Sequence, residues 1–458
     1  GWLARLARED TARARTAAEL RERVVALLHE HPDAPVADRL RHAKYYELAR
    51  ITVRDAFDDV RPLARSGDTL DEISALADAL LSEAERAASA EVADRFGEPV
   101  WRDGEGRAHR LGFCVLGLGK LGSGELNYSS DVDLVYLHTA APEGPLAGGP
   151  SGLAPLEYFT RVAQAFGKLV TATTVDGFLY RIDLDLRPEG SQGVLVVSDL
   201  ALASYYQAWA DTWEKAAFMK ARPVAGDLAL GWRAIKSAAP SIYRSTMDFE
   251  GVAAIRSLKQ RVEAARANER EGFDVKLGAG GIRDVEFVAQ AMQLLHGGRI
   301  PQLRERSTRR TLAQLGKLGL LDAASQRDLT HAYLFLRRVE NRLQMVAERQ
   351  THRIPQRDDA RLDIAPAVQP SADDDATEVS AQRARTRAIF EDLLPEGARE
   401  RMLDLFERAA PGLLGFPTTR RMIEDLAAHF ASALDRSPSP ERALANLDRF
   451  FQGVGAHR

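Results

Sequence analysis

Apolar positions in the first 95 residues recur at helical spacing. Leu20, Val24, Leu27 and Leu28 make one stripe before His31-Pro32. Leu40, Tyr45, Leu48 and Ile51 make a second within residues 38–57. A third spans residues 69–87, after an N-cap at Asp68 or Thr69. The period then changes. Residues 113–118 form an unbroken apolar run, as a buried strand does. Gly117, Gly119, Gly122, Ser123 and Gly124 make a glycine-rich turn, and residues 131–137 read as a second strand.

Beyond this pair the chain alternates between the two patterns. A glycine- and proline-rich stretch, 139–155, reads as a flexible lid or insertion. A helix follows over 156–170, with Phe159, Val162, Ala163, Phe166 and Leu169 on one side. Asp176-Gly177 marks a turn into a strand over 178–186, where Arg181, Asp183 and Asp185 share one face. From about residue 245 helical spacing returns, over 282–296 and 322–349. An acidic, loose linker at 358–375 precedes helices at 378–394, 396–413 and 418–434. The pattern predicts a mainly α chain with an α/β core. Its regions are an N-terminal helical region (1–95), a catalytic core (96–245), a helical bundle (246–356), and a linker with C-terminal helices (357–458).

Composition narrows this little. The 458 residues are 45% hydrophobic and 28% charged, as in a globular protein large enough for several cores. A net charge of −4 gives no support to nucleic acid as a partner. A single cysteine, Cys114, rules out a disulfide framework within the chain and fits a small core residue. No apolar run reaches membrane-spanning length and no signal peptide is visible, so no membrane partner and a reducing cytoplasmic setting are expected. The chain opens on Gly1 rather than Met, which points to processing or excision.

The chemistry sits in the central turn. Asp131 and Asp133 are two apart on a strand, so their carboxylates project together. Two like charges side by side call for a cation between them, and a hard one such as Mg²⁺ suits carboxylate and phosphate oxygens. A helix starting at Ser123 or Gly124 would offer free N–H groups to an anion, with Gly122-Ser123 as a phosphate cradle. Asp183 is the expected third metal ligand, since a third carboxylate from a neighbouring strand would help hold the metals of a two-metal phosphoryl site. Lys220 and Arg222 either neutralise phosphate charge or lie solvated on a helix.

The string GLGKLGSGELNYSSDVDLVYL, residues 117–137, resembles the bifunctional glutamine synthetase adenylyltransferase/adenylyl-removing enzymes. These belong to the DNA-polymerase-beta-like nucleotidyltransferase superfamily and carry two catalytic halves. Arg50-Ile51 with Arg54-Asp55, Arg181-Ile-Asp183-Leu-Asp185-Leu-Arg187-Pro188, Trp213-Glu214, residues 276–287 (KLGAGGIRDVEF) and residues 335–344 extend the likeness over roughly 40–435. Glu125-Leu126-Asn127 and Gly281-Ile282-Arg283 resemble the N-terminal, adenylyl-removing half, since the other half more often has glycine at the place of Asn127. Asp185 stands where the family commonly has arginine, and its role stays open.

The resemblance implies a polymerase-beta-like mixed sheet flanked by helices. It implies Asp131, Asp133 and Asp183 as catalytic and Mg²⁺-binding residues, and Gly122, Ser123, Arg187, Lys220 and Arg222 as the phosphate- and nucleotide-binding set. The implied reaction is attack of inorganic phosphate on tyrosyl-AMP of adenylylated glutamine synthetase, giving ADP. A PII-type signal protein is the implied regulatory partner. The alternatives are the reverse chemistry, adenylyl transfer from ATP, and a non-catalytic module that binds PII protein or glutamine synthetase. An RNA-directed nucleotidyltransferase is disfavoured by the acidic charge.

Overall fold

The computed structural model describes residues 13–56, 66–141, 144–149, 152–243, 274–345, 351–353 and 381–389. Three helices open the chain: α1 (Ala17–His29), α2 (Val36–Ala56) and α3 (Ser66–Phe96). Thr16 and Glu19 close the start of α1 with a reciprocal capping box, which satisfies two otherwise free amides. Leu20, Val24, Leu27 and Leu28 are buried, as their spacing requires. The interface of α2 with α3 also buries charge. Arg50 lies between Glu47 and Glu72, and Arg54 reaches Glu72 at 2.5 Å.

The sheet follows. A hairpin of β1 (Val100–Arg102) and β2 (Ala108–Arg110) leads to β3 (Phe113–Gly117), the short helix α4 (Gly119–Ser123) and β4 (Val132–His138). Next come α5 (Pro155–Thr171), β5 (Ile182–Asp183), β6 (Val196–Ser198), α6 (Asp199–Ala208), α7 (Thr212–Phe218), β7 (Arg222–Gly226) and α8 (Leu228–Ile242). The sheet is mixed, in the order β5-β4-β3-β7, with β6 beside β5 along the same edge of β4. β3 pairs antiparallel with β4 and β7, whereas β5 and β6 run parallel to β4.

Alternation along β3 and β4 splits the core into two layers. Phe113, Val115, Val132, Leu134 and Tyr136 face α5 and α3, while Cys114, Leu116, Val135 and Leu137 face α6, α7 and α8. Phe159 of α5 stacks on Phe113 at 6.1 Å between ring centroids, and Phe166 meets Tyr136 edge-on at 5.8 Å. Each such ring contributes roughly 1.5–3 kcal/mol by leaving water. The outer strand β7 contains Pro223, and Ser82 of α3 donates a hydrogen bond to Val224 O.

After the core come α9 (Ile282–His296), α10 (Thr308–Lys317) and α11 (Ala323–Met345). Residues 1–386 form one compact unit and 387–458 a second. Among the described residues no helix is long and apolar enough to cross a membrane. The linker at 358–375, the terminal helices at 396–413 and 418–434, and most of that at 378–394 lie outside the described residues.

Three expectations need correction. The strand over 178–186 shrinks to Ile182–Asp183. Residues 172–180 are instead drawn onto α2, where the buried Arg41 donates to Gly177 O and Leu169 O at 3.1 Å and to Ala172 O. The helix expected to start at Ser123 or Gly124 ends there: it begins at Gly119, and Gly124 closes it at φ +69°. The 139–155 stretch is no free lid. Ala147 N donates to Val100 O at 2.7 Å, and Gly148 bridges Glu98, so close that a side chain there would overlap the Glu98 carbonyl.

Candidate active site

Register assembles the acidic cluster. Asp133 on β4 and Asp183 on β5 are direct partners on adjacent parallel strands. Asp131, just before β4, accepts Arg181 Nε at 2.6 Å, and Arg181 also donates to Ser129. Asp183 spends one oxygen on the backbone N–H of Asp185 at 2.8 Å, and among the described residues the other carries no hydrogen bond. Asp185 itself is exposed.

Asp133 carries the cost of this grouping. Burial first, then the charge of Asp183, hold its carboxyl up at about 6, while Lys276 and Lys220 pull the other way. Gly119 explains how this half-buried carboxylate fits under the turn. Its φ is +52°, and a Cβ there would overlap Asp133 Oδ2. Leu118 N donates to the Asp133 carbonyl at 2.8 Å, so turn and strand are fastened together. Leu118 and Gly119 are thus the turn residues that touch Asp133.

Gly122 and Ser123 lie at the far end of α4. Gly122 N donates to Leu118 O at 2.7 Å, and a side chain at Gly122 would overlap Lys220 O. The buried Ser123 hydroxyl donates to Lys120 O at 3.0 Å. These contacts pack the turn on itself and against Lys220. Arg222 is also a fastener. Its Nη atoms hold Asp78 at 2.7 and 2.9 Å, and the guanidinium also donates to Leu121 O and Gly122 O. Lys220 pairs with Glu286 of α9 at 2.8 Å, and its charge still acts on Asp133. Arg187 donates to Leu184 O at 2.9 Å, while its Nε is buried without a hydrogen-bond partner among the described residues.

Residues 120–130 are held from behind by the helical bundle. Glu125 is fully buried at the start of α10, where it accepts from Ser307 Oγ at 2.8 Å, from the amides of Thr308 and Arg309, from Arg309 Nε and from Tyr333. Burial alone would raise its pKa, and Arg309 and Lys220 more than reverse that. Lys120 donates to Asn127 Oδ1 at 2.9 Å and to Glu340 of α11 at 2.7 Å. Burial draws Lys120 down to about 8 against the pull of Glu340. Asn127 donates to Gln344 and accepts from Ser130, and Ser129 N donates to the same Gln344 oxygen at 3.0 Å.

Sequence reasoning missed this network and missed Lys276. The signal was present in α11, where Arg337, Glu340, Asn341 and Gln344 sit at helical spacing within its buried face. Polar residues on a buried helical stripe need partners.

Fold and site together define a nucleotidyltransferase-type α/β core flanked by helices. Comparison with known proteins narrows the class. A family model described as glutamate-ammonia ligase adenylyltransferase matches residues 2–237, and one described as GlnD PII-uridylyltransferase matches residues 253–394. The chain belongs to the glutamate-ammonia ligase adenylyltransferase family. It is 37% identical over 396 residues to the bifunctional glutamine synthetase adenylyltransferase/adenylyl-removing enzyme of Thioalkalivibrio sulfidiphilus, covering 85% of this chain and 39% of that protein. The proteins so named from Xanthomonas axonopodis and Pseudomonas aeruginosa are each 39% identical, over 91% and 76% of this chain and 44% and 34% of theirs. The chain thus spans less than half the length of the curated relatives it matches.

Proposed function

We infer that this chain is the adenylyl-removing half of such an enzyme. It uses inorganic phosphate to release AMP, as ADP, from a modified tyrosine of glutamine synthetase. The observation that carries a nucleotidyl-transfer chemistry is the facing pair Asp133 and Asp183 with Asp131 alongside. Support for the removing direction comes from Asn127. Its side chain joins Lys120, Ser130 and Gln344, a junction that a glycine at this position could not make.

The three carboxylates fit Mg²⁺. The proton held on Asp133 up to about pH 6 marks a place where positive charge is favoured, and one Asp183 oxygen carries no hydrogen bond among the described residues. A bound Mg²⁺ would neutralise the phosphoryl oxygens and stabilise the leaving phenolate. Arg181 holds Asp131 in place, and Lys220 and Lys276 favour the ionised form of Asp133. The unsatisfied Arg187 Nε suits an anionic substrate oxygen. In the reaction, a phosphate oxygen bonds to the AMP phosphorus while the bond to the tyrosine oxygen breaks. The phenolate then takes a proton, readily, since its pKa is about 10.

A PII-type signal protein is the partner proposed for the helical region, supported by the second family match over residues 253–394. Adenylyl transfer from ATP is the competing reading. The test is to incubate adenylylated glutamine synthetase, Mg²⁺ and the chain with and without inorganic phosphate while following ADP. Phosphate-dependent ADP, lowered at least a thousandfold in Asp131→Asn, is expected. Release of pyrophosphate from ATP with labelling of unmodified synthetase, and no ADP, would overturn the direction.

A further inference from the structure

A cavity of about 330 Å³ lies away from the carboxylate cluster, between the end of α7, one face of α8 and the segment after Leu303. That volume is in the range of small-molecule sites, on the order of 300–1,000 Å³. Its floor is apolar, made by Phe218, Met219, Ile235 and Ile242. Its rim is cationic. Arg306 lies 4.6 Å from the Trp232 ring centroid, Arg304 lies 5.1 Å from that of Tyr243, and Lys236 completes the mouth. Among the described residues, no carboxylate lines it. Glu305, between the two arginines in sequence, turns to Arg310 at 3.2 Å.

Among the described residues, the charge of Arg306 is poorly balanced. Its Nε donates to Ala221 O at 2.7 Å, while burial, with Arg222 and Arg310 nearby, holds its pKa below the ordinary arginine value despite Tyr243 and Glu305. A half-buried guanidinium beside a 44% exposed indole, above an apolar floor, matches a ligand that is flat at one end and anionic at the other.

We propose that this cavity is a second ligand site, for a small aromatic organic anion of the nucleoside monophosphate class. The ring lies on the apolar floor and the anion meets Arg306 and Lys236. A run of contacts also leads from the site towards Lys220. Arg306 holds Ala221, which stands between Lys220, paired with Glu286, and Arg222, paired with Asp78. The proposal stands independently of the reaction catalysed.

The test is calorimetric titration of the full chain with AMP and with adenosine, in EDTA so that no divalent cation draws nucleotide to the carboxylates. AMP is expected to bind the wild type and Asp133→Asn equally. It should bind at least tenfold more weakly to Arg306→Gln, and adenosine should bind the wild type at least tenfold more weakly than AMP. Because Arg306→Gln also frees Ala221 O, the rim variant Lys236→Gln is run beside it, with an expected threefold loss. Quenching of fluorescence by AMP should disappear in Trp232→Phe. Absence of AMP binding to the wild type, equal binding of adenosine, or binding lost in Asp133→Asn but kept in both rim variants would each overturn the proposal.

Discussion

Asp133 illustrates how a single side chain trades stability for chemistry. Its pKa, raised from 3.8 to about 6, means that the folded chain is penalised when this carboxyl ionises. The penalty is complete above pH 6 and absent below 3.8, and about two units corresponds to at most about 3 kcal/mol. Asp133→Asn is therefore expected to be up to about 3 kcal/mol more stable than wild type at pH 7 in EDTA. The difference should shrink towards zero near pH 4, as followed by urea denaturation. Added Mg²⁺ should stabilise the wild type alone. Strand parity, which needs only a period of two, suggests the pairing of Asp131 with Asp133, and in the structure Asp131 stands just before β4, held by Arg181. The places of Lys220 and Arg222 were not legible in the sequence. Their partners Glu286 and Asp78 lie 66 and 144 positions away, and no local pattern carries such a pairing.

Among the elements, α11 does more than pack. Through Gln344 and Glu340 it fixes the segment between the glycine turn and the aspartates. Gln344→Leu keeps the bulk but removes the acceptor for Asn127 and for the Ser129 amide, both buried. Each orphaned donor costs roughly 1–3 kcal/mol, so a loss of about 2–5 kcal/mol is expected in denaturant unfolding. Turnover should fall further than any change in substrate affinity, since the carboxylates lose their backing. The existence of α11 was plain from its apolar spacing. The strand at 178–186 was overread because alternation there competes with Arg41, a buried cation on another helix that claims the neighbouring carbonyls.

At the scale of the molecule, the core and the bundle share a set of buried ions. Glu125 and Glu340 are buried and Glu286 is half-buried, a cost that Arg309, Lys120 and Lys220 respectively do most to overcome, so all three stay below the ordinary 4.5. Depressed carboxylates contribute stability that is present above their unfolded value and lost as pH falls through the folded one. Unfolding midpoints measured from pH 6 to 3 should therefore drop steeply below about 4.5. Glu340→Gln should flatten part of that limb and lower stability at neutral pH, because Lys120 and Arg337 lose their counter-charge.

The outer strand of the sheet carries a further consequence. Pro223 in β7 has no amide hydrogen to offer a neighbouring chain, and the carbonyl of Val224 is already taken by Ser82. The opposite margin is divided between β5 and β6, of two and three residues. Among the described residues, neither border presents an uninterrupted ladder to template cross-β growth or to recruit an extended peptide as an extra strand. Side chains and helix surfaces are what this core offers a macromolecule instead.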